Sequence, residues 1–265
     1  MSRPKRRLGQ HFLHDPRILN RLADALGATR ADTVLEIGPG PGGLTAALLR
    51  RAGRVIAIEK DPDMIAGLRS LAPAATIVEG DALELDWGAL GGGAGGLVTG
   101  NIPYNITSPL LDKALTPPRP RRIVFLVQKE VAVRVGAAPG SRDYGALTVG
   151  IQAVATTEVL FTVPAGAFQP APKVDSAALR LEPLATPLVA DGEVRSFRAV
   201  VVGLFGYRRK QLVRAVRELT GWGGEEATRA VDRAGLIGTA RPETLSPADF
   251  LRLHAALVDG GWRPA

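Results

Sequence analysis

The chain has no cysteine among its 265 residues. That excludes a disulfide framework and thiolate metal sites, and fits a reducing compartment such as the cytosol. Histidine is almost as scarce. His11, His14 and His254 lie too far apart in sequence to suggest a metal centre, and none is expected. No apolar run approaches the roughly 18 residues that a membrane-spanning helix needs. The basic start "MSRPKRRLGQHF" leads into "LHDPRILNRLADALG", which is amphipathic and carries Asp15 and Asp24, so no secretory apolar segment follows it. Internal repeats are also missing. A soluble protein with a basic arm is expected.

What is present describes a globular chain. Hydrophobic residues make up 46% and charged residues 22%, which excludes disordered and collagen-like classes. Lysine and arginine number 33 against 26 acidic residues, a net charge of +7, so an acidic partner such as nucleic acid is favoured.

Punctuation marks the first helix: Asp15 caps it, Pro16 suits its first position, Ile18, Leu19, Leu22 and Leu26 form its apolar stripe, and Gly27 ends it. Five short β-branched runs follow, at 33–38, 54–59, 75–80, 96–100 and 122–128. Helical stretches separate several of them, at 44–51, 61–71 and 108–115, the last with Ser108 and Pro109 as cap and first residue. This alternation predicts an α/β fold with a parallel sheet covered on both faces, in which ligands sit at the carboxyl ends of the strands. The glycine run at 91–96 reads as a flexible loop. Residues 144–155 read as a helix, 158–163 and 177–184 as strands, and 164–176 as a proline-rich loop. From Val194 onward only helical patterns remain, which divides the chain into residues 1–185 and a helical domain at 186–265.

"EIGPGPGGLTAAL" places Gly38, Gly40 and Gly43 in a G-x-G-x-x-G spacing between a strand and a helix, with Glu59 about 20 residues further on. Glycines let the backbone pass close beneath a ligand, and a carboxylate at the next strand end can accept ribose hydroxyls. Nicotinamide cofactors and S-adenosylmethionine both fit that much. Glu36 suits a cationic ligand better than a pyrophosphate, and Asp81 at the end of the third strand offers an acceptor for an adenine amine, so the balance moves to S-adenosylmethionine. "GNIPY" after the fourth strand faces the same crevice. Asn101 and a backbone carbonyl before or at Pro103 can accept the two hydrogens of an adenine N6 amine. Pro103 stiffens the turn, and Tyr104 offers a face for a stacked base. Phe168, in a proline-stiffened loop, would close the other side of that base.

In combination, "GQHFL" (9–13), "EIGPGPGGLT" (36–45), "IEKD" (58–61), "EGDAL" (79–83), "GNIPYNITSPLL" (100–111), "RDYGALTV" (142–149), "FQPAPKVDSA" (168–177) and "FGYRRKQL" (205–212) closely resemble the ribosomal RNA adenine N6-dimethyltransferases. The resemblance implies a Rossmann-like S-adenosylmethionine-dependent methyltransferase domain followed by a small all-helical C-terminal domain. His11, Leu13, Gly38, Gly40, Glu59, Asp81 and Asn101 would contact the cofactor, and Asn101, Pro103, Tyr104 and Phe168 would frame the target adenine. The family often has asparagine where this chain has His11. Ile102 is frequent in the branch that modifies large-subunit rRNA in antibiotic resistance. "RRKQL" and "RPETLSPADFLRLHAAL" resemble the C-terminal domain of the housekeeping branch, which dimethylates two adjacent adenosines near the 3′ end of small-subunit rRNA. That branch is the expectation, with a cytoplasmic monomer acting on the small-subunit precursor. The alternatives are the large-subunit enzyme and a non-catalytic assembly factor; a nicotinamide oxidoreductase is a third.

Arg6 and Arg7 in the arm, Arg119, Arg121 and Arg122 before a strand, and Arg208, Arg209, Lys210, Arg214 and Arg217, read as one helix, are the candidate phosphate contacts.

Overall fold

The computed structural model describes residues 10–264, so the arm residues Arg6 and Arg7 lie outside the described residues. The chain divides into two units. One contains the described residues up to Ala132 together with Thr156–Pro183; the other contains Val133–Ala155 and the chain from Leu184.

The first unit begins with a short strand, β1 (Phe12–Leu13), and α1 (Pro16–Leu26). Asp15 caps α1 by accepting from Arg17 N, and Gly27 ends it in the left-handed region at φ 66°. Then come β2 (Thr33–Ile37), α2 (Gly43–Leu49), β3 (Arg54–Glu59), α3 (Pro62–Leu71, capped by Asp61) and β4 (Thr76–Glu79). They are followed by β5 (Leu97–Asn101), α4 (Thr107–Ala114) and β6 (Arg122–Gln128), then along the chain by α5 (Lys129–Val135) and α6 (Ala146–Gln152), of which α6 and the end of α5 fall in the other unit, and by β7 (Ala155–Val163), β8 (Phe168–Gln169) and β9 (Ser176–Pro183). Seven strands form one sheet in the order β4-β3-β2-β5-β6-β9-β7, while β1 pairs antiparallel with β8. The first five strands of that order run parallel and β9 runs antiparallel to β6. The buried runs of β2, β3 and β6 are those of strands covered on both faces.

Chain direction across the sheet reverses between β2 and β5. From β2 the sheet grows one way through β3 and β4, and from β5 the other way through β6. A crevice opens at the carboxyl ends on either side of such a reversal, which puts Gly38 and Asn101 on opposite sides of one gap. Beneath it, Leu22, Leu26, Val34, Leu48, Val55 and Leu97 join a single apolar core.

Three local expectations change. The glycine run is packed rather than loose: a Cβ on Gly96 would stand 2.1 Å from the carbonyl oxygen of Gly91, and one on Gly92 2.5 Å from Leu35. α4 starts one residue early, at Thr107, behind a 3₁₀ turn at Tyr104–Ile106, and no side chain caps it. The helix expected over 144–155 stops at Gln152, and Ala155 already opens β7.

The other unit contains α6 and four further helices, α7 (Val194–Gly206), α8 (Leu212–Thr220), α9 (Gly224–Arg233) and α10 (Pro247–Asp259). Phe205 stacks on Phe250 at 5.6 Å, and the Tyr144 hydroxyl donates to the carbonyl of Leu245 at 2.8 Å. Such bonds explain why Val133–Ala155 groups with these helices instead of with residues 1–185. The helix expected at 144–155 would fit either core, so the sequence pattern alone does not show which one receives it.

Candidate functional site

At the reversal point the first unit holds a cavity of about 220 Å³. Gly38, Gly40, Glu59, Asp81, Asn101, Pro103, Tyr104 and His11 all line it, brought together from the ends of four parallel strands and from the segment before β1. Gly38 (φ 65°) leaves room that a side chain would fill: a Cβ there would meet no protein atom within 4 Å. Gly40 (φ 54°) has the opposite constraint, since its Cβ would press on the Phe12 ring at 3.0 Å. Its N–H donates to Glu59 Oε2 at 3.0 Å.

The carboxylates differ in character. Glu59 is buried and accepts from Gly40 N and Asp61 N, with burial raising its pKa. Asp81 accepts from Lys60 Nζ at 2.5 Å and from Leu83 N at 2.9 Å, and the Lys60 bond holds its carboxyl below the usual range. Glu36 does not line the cavity with them. It is 1% exposed, its Oε2 has no hydrogen-bond partner among the described residues, and burial, reinforced by the nearby Glu59, pushes its pKa up to about 8.

Across the crevice, Asn101 Nδ2 donates to the backbone carbonyl of His11 at 2.7 Å. An amide so committed keeps Oδ1 as its acceptor. The Pro103 carbonyl receives Ile106 N and Thr107 Oγ1, both at 3.2 Å, so it serves the turn that starts α4. The Tyr104 hydroxyl pairs with Ser176 Oγ at 2.8 Å, and its ring stacks on the His11 ring, with centroids 5.5 Å apart.

Two expected site residues lie elsewhere. Phe168 is 3% exposed and belongs to the apolar core, where pairing with Leu13 across β1 and β8 holds it. Leu13 packs against that core and does not line the cavity. The motif's apolar residues are spent on anchoring, because the loop needs a buried foot. Conversely, Gln10, Phe12, Lys60, Leu83 and Asn105 line the cavity although the sequence pattern gives none of them a role there. All five lie inside "GQHFL", "IEKD", "EGDAL" and "GNIPYN", and that membership is the sequence signal for them.

The basic candidates also redistribute. Arg208, Arg209 and Lys210 occupy the turn between α7 and α8, so 210, 214 and 217 do not share one helix. Arg208, Arg209 and Arg214 are exposed, while Lys210 pairs with Glu218 and lies over the Tyr207 ring at 4.9 Å. Arg121 pairs with Asp32 at 2.7 Å and Arg122 with Glu182 at 2.7 Å, which commits both internally. Among the described residues no group of acidic or histidine side chains could hold a metal ion. No helix among them is long and apolar enough to cross a membrane.

Comparison with known proteins agrees over nearly the whole length. Residues 1–258 match the family model for ribosomal RNA adenine dimethylase. The chain is 42% identical to a ribosomal RNA small subunit methyltransferase A from Acidithiobacillus ferrooxidans, over 99% of this chain and 98% of that one. A protein of the same description from Phenylobacterium zucineum is 44% identical, over 98% and 90% of the two chains. Among solved structures, a dimethyladenosine transferase from Plasmodium falciparum superposes with a TM-score of 0.85 at 25% identity, covering 96% of this chain and all of that one. The 23S rRNA methyltransferase ErmE gives 0.69 at 30% identity, covering 93% and 99%. With its cavity at the sheet reversal and "GNIPY" at the rim, this chain belongs to the ribosomal RNA adenine dimethylase family.

Proposed function

We propose that this protein dimethylates N6 of two adjacent adenosines near the 3′ end of small-subunit rRNA, with S-adenosylmethionine as methyl donor, acting as a cytoplasmic monomer on the small-subunit precursor. The observation that carries the reading is the commitment of Asn101 Nδ2 to the His11 carbonyl, which leaves Oδ1 as a fixed acceptor at the cavity wall.

The residues fit the donor. Gly38 gives an open cradle, and Glu59 and Asp81 supply carboxylate acceptors for ribose hydroxyls and an adenine amine. When bound, the donor supplies an electrophilic methyl group on a sulfonium. The chain's own task is orientation. An adenine N6 lone pair is delocalised into the ring, so the amine attacks only when its two hydrogens are drawn out of the ring plane. Asn101 Oδ1 accepts one. Since the Pro103 carbonyl is engaged within its own turn, the carbonyl of Ile102 is the second acceptor. Tyr104 stacks the extruded base, worth roughly 1–3 kcal/mol. Fixed orientation of reactants can supply on the order of 7–11 kcal/mol, so no strong base is required. Phe168 supports the base only indirectly, by anchoring the loop beside His11. Exposed Arg208, Arg209 and Arg214 in the helical unit, with Arg6 and Arg7 of the arm, contact rRNA phosphates.

The small-subunit reading draws on the two full-length relatives, both described as small subunit methyltransferases. Incubation with labelled S-adenosylmethionine and immature small or large subunits, followed by mapping of the modified nucleotide, tests it. Label in the large subunit alone would reassign the substrate; label in neither would leave an assembly factor.

A further inference from the structure

His11 is joined to the site at three places. Its carbonyl accepts from Asn101 Nδ2 at 2.7 Å, its ring Nδ1 meets the carbonyl of Pro170 at 2.8 Å, and its ring face lies 5.5 Å from that of Tyr104, at an interplanar angle of 25°. A carbonyl only accepts, so Nδ1 carries the proton and the tautomer is fixed. The ring plane is therefore held by Pro170, the residue that follows β8.

Among the described residues, the one hydrogen bond of the Tyr104 side chain runs from its hydroxyl to Ser176 Oγ at 2.8 Å. A phenol held at its tip can still rotate about the axis running through that tip. A hydrogen bond there fixes position and leaves the plane free. The His11 face is what fixes the plane, and the plane decides how a base stacks, since stacking needs nearly parallel rings. His11 and Tyr104 are also too close to admit a base between them, so an adenine uses the opposite face of Tyr104.

We infer that His11 is a positioning residue for the acceptor base: its imidazole sets the plane of Tyr104 while its backbone carbonyl sets the amide of Asn101. One residue thereby fixes the stacking platform and the amine acceptor relative to each other. This role differs from the cofactor contact that resemblance assigns to His11, and it rests on the adenine N6 reading proposed above. Family members with asparagine at this position lack such a ring, so the device belongs to chains like this one.

The test uses the full-length protein with His11→Ala, His11→Asn and His11→Phe. All three keep the backbone carbonyl; only phenylalanine keeps an aromatic face. Single-turnover methylation of immature small subunits should fall about tenfold in the alanine and asparagine variants and recover part of that loss in the phenylalanine variant, which keeps the face but loses the Pro170 bond, with KM for the methyl donor within about twofold of the parent. A second readout needs neither RNA nor donor. The chain has three tyrosines, so ring-labelled tyrosine gives an assignable NMR spectrum. The Tyr104 resonance should move in the alanine and asparagine variants and return towards the parent position in the phenylalanine variant.

An unchanged rate in His11→Ala would overturn the inference, as would a raised donor KM at unchanged rate, which would make His11 a cofactor contact. Tighter RNA binding and faster turnover in His11→Ala would overturn it too, by showing that the ring occupies the place of the base. If the parent protein methylates neither subunit, the catalytic reading fails instead, and the Tyr104 resonances still report whether His11 sets that ring.

Discussion

Asn101 and His11 lie 90 residues apart in sequence and meet at 2.7 Å, side-chain amide to backbone carbonyl. An asparagine side chain has two nearly isosteric ends, a donor and an acceptor, and an unpartnered one presents either. The His11 carbonyl removes that ambiguity by taking the donor end. β1 holds the carbonyl in place through its pairing with β8, so the amide's orientation depends on a segment far from the strand that bears it.

Tyr104 should separate stacking from anchoring. Tyr104→Ala removes the face on which the base stacks, and KM for the RNA substrate should rise by about 5- to 150-fold, the equivalent of roughly 1–3 kcal/mol. Tyr104→Phe keeps the face and loses the Ser176 bond, costing about 0.5–1.5 kcal/mol. A Tyr104→Phe, Ser176→Ala double-mutant cycle should show the two single losses failing to add. Strict additivity would mean the hydroxyls are not coupled.

Gly96→Ala should destabilise the fold by more than about 3 kcal/mol, because its Cβ would stand 2.1 Å from a backbone oxygen that no side-chain rotation can move. Gly95→Ala is strained by its backbone alone (φ 79°) and meets no atom within 4 Å, so its cost should be smaller. Chemical denaturation of both variants measures the difference; equal, small losses would restore the flexible-loop reading.

Much of this architecture is legible in the sequence. Asp-Pro pairs at 15–16 and 61–62 mark helix starts because each supplies a cap and a preset φ, and the β-branched runs become the parallel strands. The strand ends then collect Gly38, Glu59, Asp81 and Asn101 without further information. Contacts that cross the chain are not legible. Ser176 reaches Tyr104 over 72 residues and Pro170 reaches His11 over 159, and neither pairing leaves a periodicity. Phe168 shows a related limit: an aromatic in a proline-rich loop can face a ligand or plug a core, and the pairing of β8 with β1 sets it in the core.

Glu36 should leave a signature in the pH dependence of stability. Its folded pKa, about 8, lies above the ordinary 4.5, so between those values the folded chain holds a proton that the unfolded chain releases. The associated stability is fully present below the lower value and is lost as pH rises through about 8. Glu36→Gln cannot titrate, so across pH 5 to 8.5 it should lose less stability than the parent, by an amount on the order of a few kcal/mol. Urea titrations at several pH values provide the measurement, and parallel curves for the two proteins would refute the assignment.

RNA affinity should fall as salt rises. Arg208→Ala and Arg209→Ala should each flatten the slope of log K against log salt by nearly one if each side chain meets one phosphate. Lys210→Ala should change it less, since Glu218 already neutralises that ammonium. Filter binding between about 50 and 200 mM salt resolves these slopes. An affinity indifferent to salt would remove the basic surface from the account.

The amide of Asn101 is the most direct test of the whole. Asn101→Asp keeps an acceptor of the same shape but sets a carboxylate oxygen against the His11 carbonyl, and Asn101→Ala removes both ends. In single-turnover methylation of immature small subunits, both variants should be slower by at least about 100-fold, a loss of about 2.7 kcal/mol or more of transition-state stabilisation, with RNA affinity within about threefold of the parent. Turnover by Asn101→Asp at the parent rate would contradict the claim that a fixed amide at this position orients the adenine amine.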